Sequence, residues 1–146
     1  MAAERTASVT WEGNLVQGKG TINSTGSGVL STLPVTWASR SEERSGGKTS
    51  PEELVAAAHA ACYCMALSHG LTQKGTPPER LQTTATATFA PGAGGFTKMH
   101  LVVRGRVPGI DQAAFQEAAN AAKDGCPISQ ALKNNVQISL DAALEA

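Results

Sequence analysis

The groups in this chain that could do chemistry are three thiols, Cys62, Cys64 and Cys126, and two imidazoles near the first of them, His59 and His69. A thiolate is a nucleophile and a target for oxidants, but only where its surroundings favour the ionised form. Cys62 lies in the middle of a long apolar segment. There it gets no help from a helix end and reads first as a small core hydrophobe; a chemical role would need a nearby cation. Cys126 directly precedes Pro127, at a predicted helix N-cap where the positive end of the helix favours an anion. Cysteine is an unusual cap, since serine, threonine and aspartate do that work better, so a chemical role and a structural one are both open. Cys64 follows Cys62 by two residues, about 200° around a helix. The two thiols then point to opposite sides, and Cys64 reads as packing. His59 precedes Cys62 by three residues and shares its face, as a satisfied core histidine or as one that tunes the thiol. No ligand spacing for a metal is present.

The 146 residues suffice for one domain, 1–146, and a hydrophobic fraction of 41% provides a core. Aromatic residues make up only 4%, so small side chains must fill much of the interior. Lys plus Arg equals Asp plus Glu at 12 each, which lacks the basic excess of a nucleic-acid binder. An odd number of cysteines argues against a disulfide-stapled secreted scaffold. The start carries no secretory pattern, and the apolar run from Leu54 to Leu67 is too short for a bilayer. The expectation is a cytoplasmic protein that binds neither nucleic acid nor membrane. The charge run Arg40-Ser41-Glu42-Glu43-Arg44 reads on its own as a solvated loop, and no glycine-rich phosphate cradle is present.

The pattern predicts α+β architecture in the order β-β-β-α-β-β-α-α-β. Alternation marks a strand over Ala7–Gly13, with further strands at Lys19–Ser24 and Val35–Ser39. Ser50 as N-cap, Pro51 at the first helical position and Glu53 at the third predict a helix from 50 to about 70, opened by a capping box and ended by Gly70 or Gly75. This helix is apolar on nearly every side, which predicts burial all round and therefore a second subunit. Leu81, Thr83, Ala85, Ala87 and Phe89 alternate with polar residues, as do Met99, Leu101 and Val103 after the Pro91–Gly95 turn; together they predict an antiparallel hairpin. Asp111 caps a helix to about Lys123, with Gly125 as its C-terminal cap. A short helix from Cys126-Pro127 and a strand carrying Val136, Ile138, Leu140 and Ala142 complete the order.

The stretch Thr49-Ser50-Pro51-Glu52-Glu53-Leu54-Val55-Ala56-Ala57-Ala58-His59-Ala60-Ala61-Cys62-Tyr63-Cys64 resembles the central helix of the osmotically inducible protein C (OsmC) family. Val107-Pro108-Gly109-Ile110-Asp111, the run Ala121 to Leu132 through Gly125-Cys126-Pro127, and Trp11-Glu12-Gly13 to Gly18-Lys19-Gly20 resemble it in the same order. The Ala-Ala-His-Ala-Ala-Cys wording is similar to the OsmC branch rather than to the organic hydroperoxide resistance (Ohr) branch. The resemblance implies an intertwined homodimer with two long central helices between antiparallel sheets. It implies a cysteine-based peroxidase for organic hydroperoxides and, less favourably, hydrogen peroxide. It places the peroxidatic cysteine at Cys62, the resolving cysteine at Cys126, the arginine at Arg40 and the glutamate at Glu52. No cofactor is implied beyond an external dithiol reductant, of lipoyl type or a small molecule. Two departures stand out: Cys64 occupies a position that is commonly serine, and the loop from Arg40 to Pro51 is longer, which makes Arg44 a competitor of Arg40.

These roles are chemically coherent. Arginine keeps its charge and can fork onto a carboxylate, so Arg40 could hold a thiolate at Cys62 while Glu52 holds Arg40. Glu52 and Cys62 stand ten residues apart, about 15 Å of helical rise. Either the arginine spans that gap or Glu52 serves the partner's site. Two other readings compete: a dimeric stress protein that binds a lipid or metabolite without catalysis, and a thiol–disulfide exchanger, which the absence of a Cys-Xaa-Xaa-Cys motif disfavours.

Overall fold

The computed structural model describes residues 2–145, which fall into two compact units dividing between Leu54 and Val55. In the first unit, β1 (Ala7–Glu12), β2 (Lys19–Thr25) and β3 (Ser31–Val35) form an antiparallel sheet in the order β1-β2-β3. The helix α1 (Trp37–Ser41) follows. The strand expected at Val35–Ser39 is therefore displaced: the third strand ends at Val35 and the next residues are helical. Thr36 explains the change. Its hydroxyl accepts from the Ser39 amide while the Ser39 hydroxyl accepts from the Thr36 amide, a reciprocal cap that starts a helix.

The long helix α2 (Pro51–Gln73) begins in the first unit and continues into the second. The Ser50 hydroxyl accepts from the Glu53 amide as expected of an N-cap, but the Glu53 carboxylate accepts from the Thr49 hydroxyl at 2.8 Å, so the expected capping box is not the reciprocal kind. The chain leaves α2 at Gly75, whose φ of 81° suits glycine, and Gly70 remains within the helix.

In the second unit, β4 (Arg80–Ala90) and β5 (Gly95–Arg106) form the expected antiparallel hairpin, with Leu81 opposite Gly105 and Ala85 opposite Leu101. After α3 (Gln112–Gly125) and α4 (Pro127–Leu132), β6 (Gln137–Leu144) joins β5 in parallel. The second sheet is thus mixed rather than wholly antiparallel, as a strand arriving through a helical crossover allows. The core unites Tyr63, Leu67 and Leu71 of α2, Met99, Leu101 and Val103 of β5, and Phe115 and Ala119 of α3. Gly105 is needed here: a Cβ at this position would lie 2.5 Å from the Phe115 ring.

Within the second unit α2 buries one face, that of His59, Tyr63, Leu67 and Leu71, and leaves Ala57, Ala58, Ala61 and Met65 exposed. Burial all round is not met within one chain, and Met65 is 72% accessible. By length and composition the whole helix is apolar enough to cross a bilayer. Its buried face nevertheless belongs to a packed core, where the Tyr63 hydroxyl donates to the Ala119 carbonyl at 3.0 Å.

Candidate active site

Two pairs of the residues singled out from the sequence meet in the structure, one in each unit. In the first unit, Arg40 closes on Glu52. The arginine Nε lies 3.0 and 3.2 Å from the two carboxylate oxygens, and Nη2 donates to Oε1 at 2.9 Å. Local sequence sets up this fork. Arg40 sits in the last turn of α1, whose Ser39 hydroxyl donates to the carbonyls of Thr36 and Thr49. A bridge between Val35 and Thr49, with the Thr49 amide donating to the Pro34 carbonyl, brings the start of α2 alongside. Glu52 is buried and Arg40 is about a third exposed. Arg40 rather than Arg44 is the residue paired with this carboxylate.

In the second unit, Cys62 of α2 meets the junction of α3 and α4. Cys126 ends α3 and begins α4, with φ −57° and ψ 130°. The C-terminal cap expected at Gly125 is therefore one residue early, because Gly125 is still helical and the corner falls at the cysteine. The Gln130 side-chain amide donates to the Asp124 carbonyl across this corner and braces it. Cys126 is fully buried and makes no capping bond with its side chain; its thiol pairs with that of Cys62 instead. The backbone amide of Ile128, in the first turn of α4, also hydrogen-bonds the Cys62 sulfur. Burial pushes the Cys62 thiol above its ordinary pKa, the Ile128 amide pulls it down, and the neighbouring Cys126 raises it again.

The remaining candidates separate clearly. Cys64 points elsewhere and donates to the Thr83 hydroxyl at 3.0 Å, a packing contact. His59 is fully buried, with Nε2 2.8 Å from the Ser129 hydroxyl and Nδ1 without a partner among the described residues. Burial lowers its pKa and keeps the ring neutral. In sequence His59 fits a core or a tuning role alike, and nothing local points to Ser129, because the two stand 70 positions apart. No group of three or more His, Cys, Asp and Glu side chains among the described residues could hold a metal ion. One helical turn from each cysteine, a groove of about 370 Å³ is lined by small residues such as Ala66, Gly70, Ala118 and Gly125, with His69 and Lys74 as its polar members. Such a surface can take up an alkyl chain but offers few polar contacts.

A family model described as OsmC-like protein matches residues 44–141. Peroxiredoxin OsmC of Escherichia coli (strain K12) is 43% identical over 148 residues, with all of both chains covered. The organic hydroperoxide resistance protein OhrB of Bacillus subtilis, a solved structure, is 28% identical with a TM-score of 0.65, over 94% of this chain and 98% of that one. An OsmC-like protein from Mycoplasma pneumoniae, only 13% identical, has the same fold, with a TM-score of 0.70 over all of both chains. Given the family model's match over most of the sequence and the end-to-end identity with the Escherichia coli protein, the chain belongs to the OsmC-like protein family.

Proposed function

We infer that this protein is a thiol-dependent peroxidase that reduces organic hydroperoxides, and hydrogen peroxide less well, in defence against oxidative and osmotic stress. The observation that carries this reading is the pairing of the Cys62 thiol with Cys126 beside the Ile128 amide. Relatives named peroxiredoxin and organic hydroperoxide resistance protein support it.

In this reading the Cys62 thiolate attacks the distal hydroperoxide oxygen. The O–O bond breaks, an S–O bond forms, and the alkoxide leaves with a proton as the alcohol. The Cys126 sulfur then attacks the Cys62 sulfenic acid within the same chain. An S–S bond replaces S–O, and hydroxide leaves with the thiol proton as water. An external dithiol, of lipoyl type or a small molecule, reduces the disulfide, and no bound cofactor takes part.

The raised pKa of Cys62 creates a need for positive charge. Arg40, held by Glu52, is the residue proposed to meet it and to complete the catalytic set Cys62, Cys126, Arg40 and Glu52. The ten-residue separation of Glu52 and Cys62 along α2 is compatible with a site that uses the partner subunit. A homodimer would also cover the exposed Ala57, Ala61 and Met65 stripe and the exposed Val9, Leu15, Val16 and Val29 of the first unit. The whole chain, 1–146, would then act as one peroxidase domain in the cytoplasm. The small-residue groove near the cysteines favours substrates with an alkyl group.

The test follows peroxide consumption with a dithiol reductant for the native protein, Cys62→Ser and Cys126→Ser. Both variants should lose turnover, and Cys62 should still be oxidised once when Cys126 is absent. Cumene hydroperoxide should be consumed faster than hydrogen peroxide. A native protein that consumes neither peroxide is a binding protein, and the reading fails.

A further inference from the structure

The hydrogen bond between His59 and Ser129 lies beside the two cysteines and has no part in the chemistry so far described. His59 stands one turn before Cys62 on α2. Ser129 stands in the first turn of α4, which also carries the Ile128 amide that reaches Cys62 and begins at Cys126. The bond therefore links the two elements whose relative position sets the distance between the thiols. Both ends are sealed from solvent: His59 is 0% and Ser129 3% accessible. A buried imidazole with one unpartnered nitrogen is a poor way to gain stability, because an apolar side chain of similar size would avoid the desolvation.

We propose that His59 and Ser129 are a positioning pair for the resolving step, registering the first turn of α4 on α2 so that Cys126 can reach a sulfenic acid at Cys62. The proposal rests on the peroxidase reading above. α4 has only six residues, and its apolar side chains that pack on the core, Ile128 and Leu132, are only partly buried. A fixed hydrogen bond 2.8 Å long, three residues beyond Cys126 on one side and three before Cys62 on the other, restricts both sliding and rotation at the pair. The reaction it serves is the exchange of S–O for S–S with loss of water, in which a misplacement of about 1 Å can cost up to 100-fold in rate.

The experiment reacts reduced protein with one equivalent of cumene hydroperoxide and follows sulfenic acid and disulfide by rapid quench and mass spectrometry. Native protein, Ser129→Ala, His59→Leu, the double variant and Ser129→Thr are compared. Sulfenic acid should form within about three-fold of the native rate in all of them. Disulfide closure should slow roughly ten-fold or more in Ser129→Ala and His59→Leu. The double variant should be no slower than either single variant, the sign of one shared interaction. Ser129→Thr, which keeps the hydroxyl, should close faster than Ser129→Ala. The double variant, which removes both buried polar groups, should lose closure rate while its urea midpoint holds or rises, which separates positioning from general support of the fold. Native closure rates in Ser129→Ala and His59→Leu, or equal loss in both steps, would overturn the pair alone. A native protein that forms neither sulfenic acid nor disulfide would overturn the peroxidase reading and the pair with it.

Discussion

The Arg40 guanidinium holds the buried Glu52 carboxylate by both oxygens, at 2.9 to 3.2 Å, across the turn from α1 to α2. Removing the arginine leaves a carboxylate inside the protein without its counter-charge. Arg40→Met should therefore destabilise the fold by about 1–3 kcal/mol, less than a fully buried pair because Arg40 is partly exposed. Arg40→Lys keeps the charge but not the fork and should recover part of that stability and little of the peroxide turnover. Urea unfolding and turnover measured on the two variants check this; full activity in Arg40→Lys would count against a role for the fork.

Cys62 offers a second measurement. Its thiol is held up by burial and by the Cys126 thiol, and is eased by the Ile128 amide. Cys126→Ala removes one of the groups that raise it, so the pH midpoint for alkylation of Cys62 by iodoacetamide should fall relative to native protein. In Arg40→Met the midpoint should rise, because the proposed source of positive charge has gone. An unchanged midpoint in Arg40→Met would remove Arg40 from the thiol's surroundings.

The buried His59 predicts a pH dependence of stability. Burial lowers its pKa below the ordinary 6.5. Above pH 6.5 the ring is neutral in folded and unfolded chains alike, and contributes no slope. As pH falls below that value the unfolded chain takes up a proton that the folded one refuses, so folding weakens towards the lowered pKa. The urea midpoint of the native protein should therefore drop as the pH falls below about 6.5. His59→Leu should show a shallower decline over the same range.

Gly105 tests the core. A methyl group there would meet the fully buried Phe115 ring at 2.5 Å and Leu81 at 3.1 Å. Gly105→Ala should cost about 1–3 kcal/mol through overpacking, seen as a lower thermal midpoint. Phe115→Leu in the same chain should relieve part of the loss.

Most elements could be read from the sequence because their signals are local. The β4–β5 hairpin follows from Leu81, Thr83 and Ala85 alternating with polar residues, and α2 from Ser50-Pro51. The third strand is displaced for a local reason too: Thr36 and Ser39 cap a helix, so the chain turns helical just after Val35. Glycine is the usual helix terminator and points to Gly125, whereas the corner falls at Cys126 because a helix can also stop just before a proline. The pairing of β6 with β5 in parallel, the bond from His59 to Ser129 and the amide of Ile128 on Cys62 had no local signal. They arise only when chain segments far apart in sequence are brought together by the core.

Cys62 and Cys126 face each other across a stretch of about 65 residues that includes the whole β4–β5 hairpin and α3. A bond between them would turn that stretch into a covalent ring, which by chain-entropy arguments is worth about 4 kcal/mol against unfolding. Each turnover would then stitch and unstitch the second unit. The peroxide-treated protein should resist urea and heat markedly better than the reduced one, so a simple melting curve would report the oxidation state. The cost falls on the resting enzyme: the form ready to meet peroxide is the softer of the two, and the form that has just reacted is the more durable while it awaits its reductant.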